Sequence, residues 1–254
     1  MKSKWMMISA GAVLLAMIAA CGPSKTDLKK REVAQRDLGG QYFLAGNYSA
    51  ALKHLLQAEE YYADDPFLQN YLGLTYLAKK QTDLALKHFE RALELKPDYA
   101  PAKNNMGAVY LEKKDWDTAI KVYKELTVDL VYATPHFPLT NLGQAYYHKK
   151  EYQLSEKYYL EALKIEPTYW PALKGLGRTY VAMGRGEQAV AALTTVAENV
   201  PEDAETQYYL ARAYMLLKNY KKAKRAYQRV LVLGPDSEWA AEAKKMLQHL
   251  QYVN

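Results

Sequence analysis

Cysteine is almost missing: Cys21 is the only one in 254 residues, which excludes an intramolecular disulfide framework and a thiolate zinc cage. Glycine and proline are sparse, at 13 and 10 residues, too few for a collagen-like or low-complexity chain. Phenylalanine and tryptophan number 4 each against 23 tyrosines, so ring packing falls to a side chain suited to half-wet positions. The long apolar run at residues 5–20 stays short of the about twenty residues a spanning helix needs. Neither sign of charge dominates, with 34 Lys and Arg against 28 Asp and Glu. With 50% hydrophobic residues, this is an ordinary globular composition rather than that of a disordered or polytopic membrane protein.

The first twenty residues differ from the rest. Lys2 and Lys4 precede an uncharged stretch that ends in Ile18-Ala19-Ala20-Cys21-Gly22, the pattern of a cleaved export signal over residues 1–20. The tetrad ending at Cys21 resembles a bacterial lipobox, which implies a diacylated and N-acylated Cys21 as the first mature residue. More than one acyl chain gives a firm anchor. Gly22 after the cysteine is similar to an outer-membrane address, so the expected location is the outer membrane, lipid-anchored and facing the periplasm. Residues 22–26 read as a polar spacer, with the first helix beginning within residues 21–31.

A 34-residue repeat fills the remainder of the chain. Gly39, Gly73, Gly107, Gly143, Gly177 and Ala211 recur at that spacing with one 36-residue interval, and each is followed three residues later by a tyrosine, from Tyr42 to Tyr214. Twelve residues after each small residue stands a second one: Ala51, Ala85, Ala119, Ser155, Ala189 and Ala223. Large residues come next at Leu55, Phe89, Tyr123, Tyr159, Leu193 and Tyr227. Offsets of three, four and seven place each set on one helical face, so every repeat is two amphipathic helices. The columns resemble the tetratricopeptide repeat in all but its early Trp. The expectation is an all-α superhelical solenoid of six such repeats over residues 32–237. A polar-faced capping helix at residues 238–254 completes it, with Ser237 as its N-cap.

Such arrays bind partners along the face of their first helices. With Glu32 as position 1, positions 5, 9 and 12 supply Asn70, Leu74, Leu77, Asn104, Ala108, Leu111, Gln144, Tyr147, Lys174, Arg178 and Tyr208 as groove residues, with Asn105 and Asn141 beside them. The carboxamides suit an extended peptide backbone, since each offers a donor and an acceptor. Tyr147 and Tyr208 read as exposed aromatic anchors, and the C-terminal third of the face reads as basic.

No catalytic constellation appears. His54 and His88 share a repeat position but have no third ligand beside them, and Gly184-Arg185-Gly186 follows no strand. The chain reads as a non-enzyme with no cofactor, metal, small-molecule substrate or nucleic-acid partner. The basic run from Lys218 to Arg229 reads as a solvated helix face.

The 36-residue interval places an insertion at residues 127–138, with Asp129, Tyr132, Pro135 and Pro138 ahead of Asn141-Leu142-Gly143. Lipobox, short spacer, six repeats, mid-array insertion and terminal helix, in that order, resemble the type IV pilus biogenesis lipoproteins of the PilF/PilW/Tgl family. The resemblance implies a pilotin: a lipidated adaptor that binds the pilus secretin and promotes its outer-membrane localisation and multimer assembly. The alternative is a general envelope scaffold docking peptidoglycan hydrolases or exopolysaccharide machinery.

Overall fold

The computed structural model describes residues 23–127 and 134–251. The export signal, Cys21 and half of the insertion, residues 128–133, lie outside the described residues. Among the described residues there are thirteen α-helices and no strand, and the fold class is all-α. The chain divides into two compact units, Met1–Ala102 and Lys103–Asn254.

In the first unit, α1 (Lys25–Leu44) pairs with α2 (Tyr48–Tyr61), and α3 (Pro66–Ala78) with α4 (Thr82–Leu95). Helix α5 (Ala100–Glu112) continues into the second unit and is followed there by α6 (Trp116–Thr127). Then come the pairs α7 (His136–His148) with α8 (Tyr152–Ile165), α9 (Trp170–Ala182) with α10 (Gly186–Asn199), and α11 (Ala204–Leu216) with α12 (Tyr220–Leu233). Helix α13 (Glu238–His249) packs on α11 and α12.

The repeat columns are the core. Every residue of the second small column is fully buried, and every residue of the large column is at most 2% exposed. The physical role of the leading glycines differs from mere backbone approach. A Cβ on Gly73 would lie 2.5 Å from Phe89 Cε1, and one on Gly107 would lie 2.6 Å from Tyr123 Cζ. The missing side chain is thus the socket for the large residue of the partner helix. Where serine replaces alanine in the small column, the hydroxyl of Ser155 donates to the Gly143 carbonyl at 2.8 Å and lies 3.0 Å from Thr179 Oγ1, so that buried hydroxyl is not orphaned. The tyrosine column stacks on the following helix: Tyr42 on His54, Tyr76 on His88 and Tyr146 on Tyr158, with centroids 5.2–5.3 Å apart.

The polar turns within repeats share one geometry. Lys80, Lys114, Lys150 and Lys218 have φ of 55–63°, where Gly46 and Gly184 occupy the same register. The next residue donates to the carbonyl of the column tyrosine, as in Gln81 N–H to Tyr76 and Asn219 N–H to Tyr214, both 2.9 Å. This ends each first helix in a left-handed cap. A side chain in that conformation costs roughly 1–2 kcal/mol, against about 0.5–1 kcal/mol of extra entropy lost by glycine. Each of Lys80→Gly, Lys114→Gly, Lys150→Gly and Lys218→Gly is therefore expected to stabilise by about 0.5–1 kcal/mol, read as a higher urea midpoint. A lower midpoint in all four would refute it.

Second helices end two residues before Pro97, Pro167, Pro201 and Pro235, since proline removes a donor and clashes with the preceding turn. Two local expectations change. Lys25 and Thr26, read as spacer, form the first turn of α1, whose N-cap is Ser24 accepting from Asp27 N–H. Ser237 stands at the N-cap of α13, but its hydroxyl donates to the Gly234 carbonyl at 2.6 Å instead of accepting from the helix. None of the described helices is long and apolar enough to cross a membrane.

Candidate functional site

In the first unit, Asn70 of α3 is 6% exposed and Leu74 and Leu77 are half-buried. Position 5 there also ties helices together: Arg36 donates to Asp65, the N-cap of α3, at 2.6 Å. In the second unit, Asn104, Asn105, Ala108 and Leu111 of α5, Asn141, Gln144 and Tyr147 of α7, and Lys174 and Arg178 of α9 are all half-buried.

Four of these, Asn141, Gln144, Lys174 and Arg178, meet in a cleft of about 210 Å³ whose walls include Thr140, Tyr159, Tyr169 and Glu205. The charge of this cleft departs from the sequence expectation. Lys174 lies 2.7 Å from Glu205 and 3.2 Å from Asp203, and Arg178 lies 3.7 Å from Glu205. The cationic third is thereby balanced by α11 and its N-cap. Lys174 repeats the Arg36–Asp65 arrangement, a position-5 cation on the N-cap acid of the next first helix. Burial pulls the Lys174 ammonium down, yet Glu205 and Asp203 hold it above its ordinary value. Glu205 is the functional-face residue that sequence reasoning missed; its signal was an acid in the first turn of the neighbouring first helix.

Both tyrosine anchors are corrected. Tyr208 is 8% exposed and covered by Trp239 of α13, with centroids 4.9 Å apart. Tyr147 carries the Arg178 guanidinium 4.1 Å above its ring, so it is a cation platform rather than a free anchor. Burial pushes the Tyr159 hydroxyl up to about 12, with Arg178 opposing.

What remains open in the cleft is specific. Among the described residues, Thr140 Oγ1 and Arg178 Nε are buried without a hydrogen-bond partner, and so is Asn104 Oδ1 at the same repeat position as Thr140, one repeat earlier. Thr140 is 7% exposed. An orphaned donor or acceptor costs roughly 1–3 kcal/mol. A charge-balanced cleft with the carboxamides of Asn141 and Gln144 in its wall suits a peptide backbone.

The insertion reaches the same place. His136 and Phe137, at its C-terminal end, pack on Tyr169 with centroids 4.9 and 5.5 Å away, and Tyr169 lines the cleft. The histidine pair is engaged separately: His54 Nδ1 lies 2.8 Å from Gln35 and His88 Nδ1 2.7 Å from Gln69. Among the described residues no group of three or more His, Cys, Asp or Glu could hold a metal ion. Lys218, in the turn before α12, and the cations of α12 from Lys221 to Arg229 are exposed.

The tetratricopeptide repeat family matches residues 64–127, 138–169 and 174–238. A curated relative, anaphase-promoting complex subunit 6 of Arabidopsis thaliana, is 29% identical over 94 residues, 37% of this chain and only 17% of that protein. Among solved structures, PilW, a widely conserved type IV pilus biogenesis factor, superposes with a TM-score of 0.75 at 22% identity, covering 87% of this chain and 98% of PilW. PilF of Pseudomonas aeruginosa gives 0.73 at 18% identity over 86% and 99%. Cut9–Hcn1, a hetero-tetramer of APC/C, gives 0.79 at 16% identity over 89% of this chain and 45% of that one. At these identities the likeness is one of fold.

Proposed function

We start from the chain being a tetratricopeptide repeat protein, and propose that it is an outer-membrane lipoprotein pilotin. In this reading Cys21 carries the acyl anchor, and the second unit grips an extended segment of the type IV pilus secretin, promoting its localisation and multimer assembly. No bond is made or broken.

The observation that carries the reading is the cleft where Asn141, Gln144, Lys174 and Arg178 meet, since its carboxamides offer a backbone segment donors and acceptors while its cations are already paired with Glu205. Two features bear on the choice of partner. The insertion packs against the wall of that cleft through His136 and Phe137. The likeness to PilW and PilF also runs nearly end to end in those proteins, whereas Cut9 is matched over less than half.

The test is a set of chromosomal replacements read by secretin multimers in outer-membrane fractions. Thr140→Val with Asn141→Leu keeps the helix and removes the polar pair; multimers are expected to fall about tenfold while the protein keeps its level and membrane location, as a loss of about 1.4 kcal/mol of binding implies. Cys21→Ala should release the protein from the membrane and mislocalise the secretin. Normal multimers in the complete deletion would sink the pilotin reading, and altered cell-wall processing alongside them would establish the scaffold instead.

A further inference from the structure

We propose that the first two turns of α1 form a membrane-facing surface that rests on anionic phospholipid headgroups. Lys25, Lys29, Lys30 and Arg31 are all exposed, and none of the ion pairs formed among the described residues involves them. Lys25 stands in the first turn of the helix, where the peptide dipoles already place positive potential, so without an external anion it weakens the helix. Asp27 is the one acid in the first turn, and it is held by Ser24 through a 2.7 Å hydrogen bond and a backbone cap.

The surface between these cations is apolar. Lys25, Lys29, Lys30, Thr26, Val33 and Tyr62 line an open groove of about 540 Å³. The Lys29 ammonium lies 5.3 Å from the Tyr62 ring centroid and the Arg31 guanidinium 5.9 Å from that of Tyr61. Exposed lysines lining an apolar groove beside half-buried tyrosines are the side-chain set that suits a headgroup boundary. A phosphodiester meets the ammoniums and the glycerol region meets the floor.

Chain geometry favours a bilayer over a soluble acidic partner. Helix α1 begins at Lys25, four residues after Cys21, which spans at most about 14 Å. If Cys21 carries the acyl chains, the start of α1 stays within about two Debye lengths of the bilayer, the Debye length being about 8 Å at physiological ionic strength, so the groove is held where contact with the surface costs little further ordering. The inference rests on the anchor in the proposed function and not on the identity of the protein partner.

The experiment uses the mature protein purified from membranes and reconstituted in vesicles of phosphatidylethanolamine with phosphatidylglycerol, or of phosphatidylcholine alone. An impermeant amine-acylating reagent is followed by peptide mass analysis. Labelling of each of Lys25, Lys29 and Lys30 should be about fivefold lower on the anionic vesicles, as roughly 1 kcal/mol per cation near such a surface implies. It should return in 0.5 M salt. In the triple variant Lys25→Glu/Lys29→Glu/Lys30→Glu, hydrogen exchange of peptides containing Arg31 should no longer differ between the two vesicles. Lys221, Lys222 and Lys224 of α12 serve as the control and should label equally on both. Equal labelling of the α1 lysines on the two vesicles, protection of the α12 lysines instead, or protection abolished by millimolar inorganic phosphate overturns the proposal. Should mass analysis show no acyl group, the anchor fails separately; flotation of the same protein with anionic but not phosphatidylcholine vesicles would then still support the surface, and flotation with neither would refute it.

Discussion

Tyr159→Ala is expected to destabilise the second unit by about 3–5 kcal/mol, the range for removing a fully enclosed aromatic ring. The residue is 2% exposed, and its ring fills the socket left by two glycines at once. A Cβ on Gly143 would come within 2.8 Å of it, and a Cβ on Gly175 of the next first helix would also collide with it, at Cζ and Cε1. Loss of the ring leaves a void shared by α7, α8 and α9 that neighbouring helices cannot close without moving the walls of the cleft, since Tyr159 is one of them. Tyr159→Phe separates packing from hydroxyl chemistry and should cost no more than about 1.5 kcal/mol. Urea unfolding of the full chain, followed by hydrogen exchange in α7 and α9, reads both. Equal costs for the two variants would show that the ring is not the wedge.

The second large effect concerns Glu32, which is fully buried with both carboxylate oxygens unbonded and the Arg36 guanidinium 3.8 Å away. Burial first, then the neighbouring Asp65, raises its pKa from 4.5 to about 7, with Arg36 and Lys29 opposing and Asp37 adding to the rise. Because the folded value lies above the unfolded one, folding favours the protonated acid. Its contribution is complete below about pH 4.5 and is lost as pH rises through about 7. The loss amounts to about 3 kcal/mol at 1.36 kcal/mol per unit. The difference in stability between Glu32→Gln and the parent should therefore grow with pH across that window and level off above it. A difference independent of pH between about 4 and 8 would mean that Glu32 stays ionised in the fold.

The parts of the fold legible in the sequence are those a single helix enforces on itself. The Ala51 and Leu55 columns had to be interior because spacings of three, four and seven leave no other face for them, and all their members are buried. The turn at Lys80 read only as polar, although Gly46 and Gly184 at the same register carried the signal of a left-handed cap. Ser237 had the right residue type at the right place, yet its hydroxyl found a nearer acceptor in Gly234.

The candidate site was legible in outline and wrong in its charge. Positions 5 and 9 delivered Gln144, Lys174 and Arg178 to one cleft, with Asn141 beside them. The sequence could not show that Lys174 is neutralised by Glu205, because that pairing joins residues on separate helices and depends on how adjacent first helices are set against each other. Tyr208 failed for the same reason: repeat position assigned it to the open face, and Trp239 of the terminal helix closed over it.

Residue order alone dictates that this chain is a tandem array of helix pairs, because helical periodicity is a local property carried by each segment without reference to its neighbours. Which polar groups on those helices stay unsatisfied, Thr140 Oγ1 and Arg178 Nε among them, was settled when the helices packed. A periodicity fixes which face a side chain occupies, but the approach of a neighbouring helix fixes what that side chain meets.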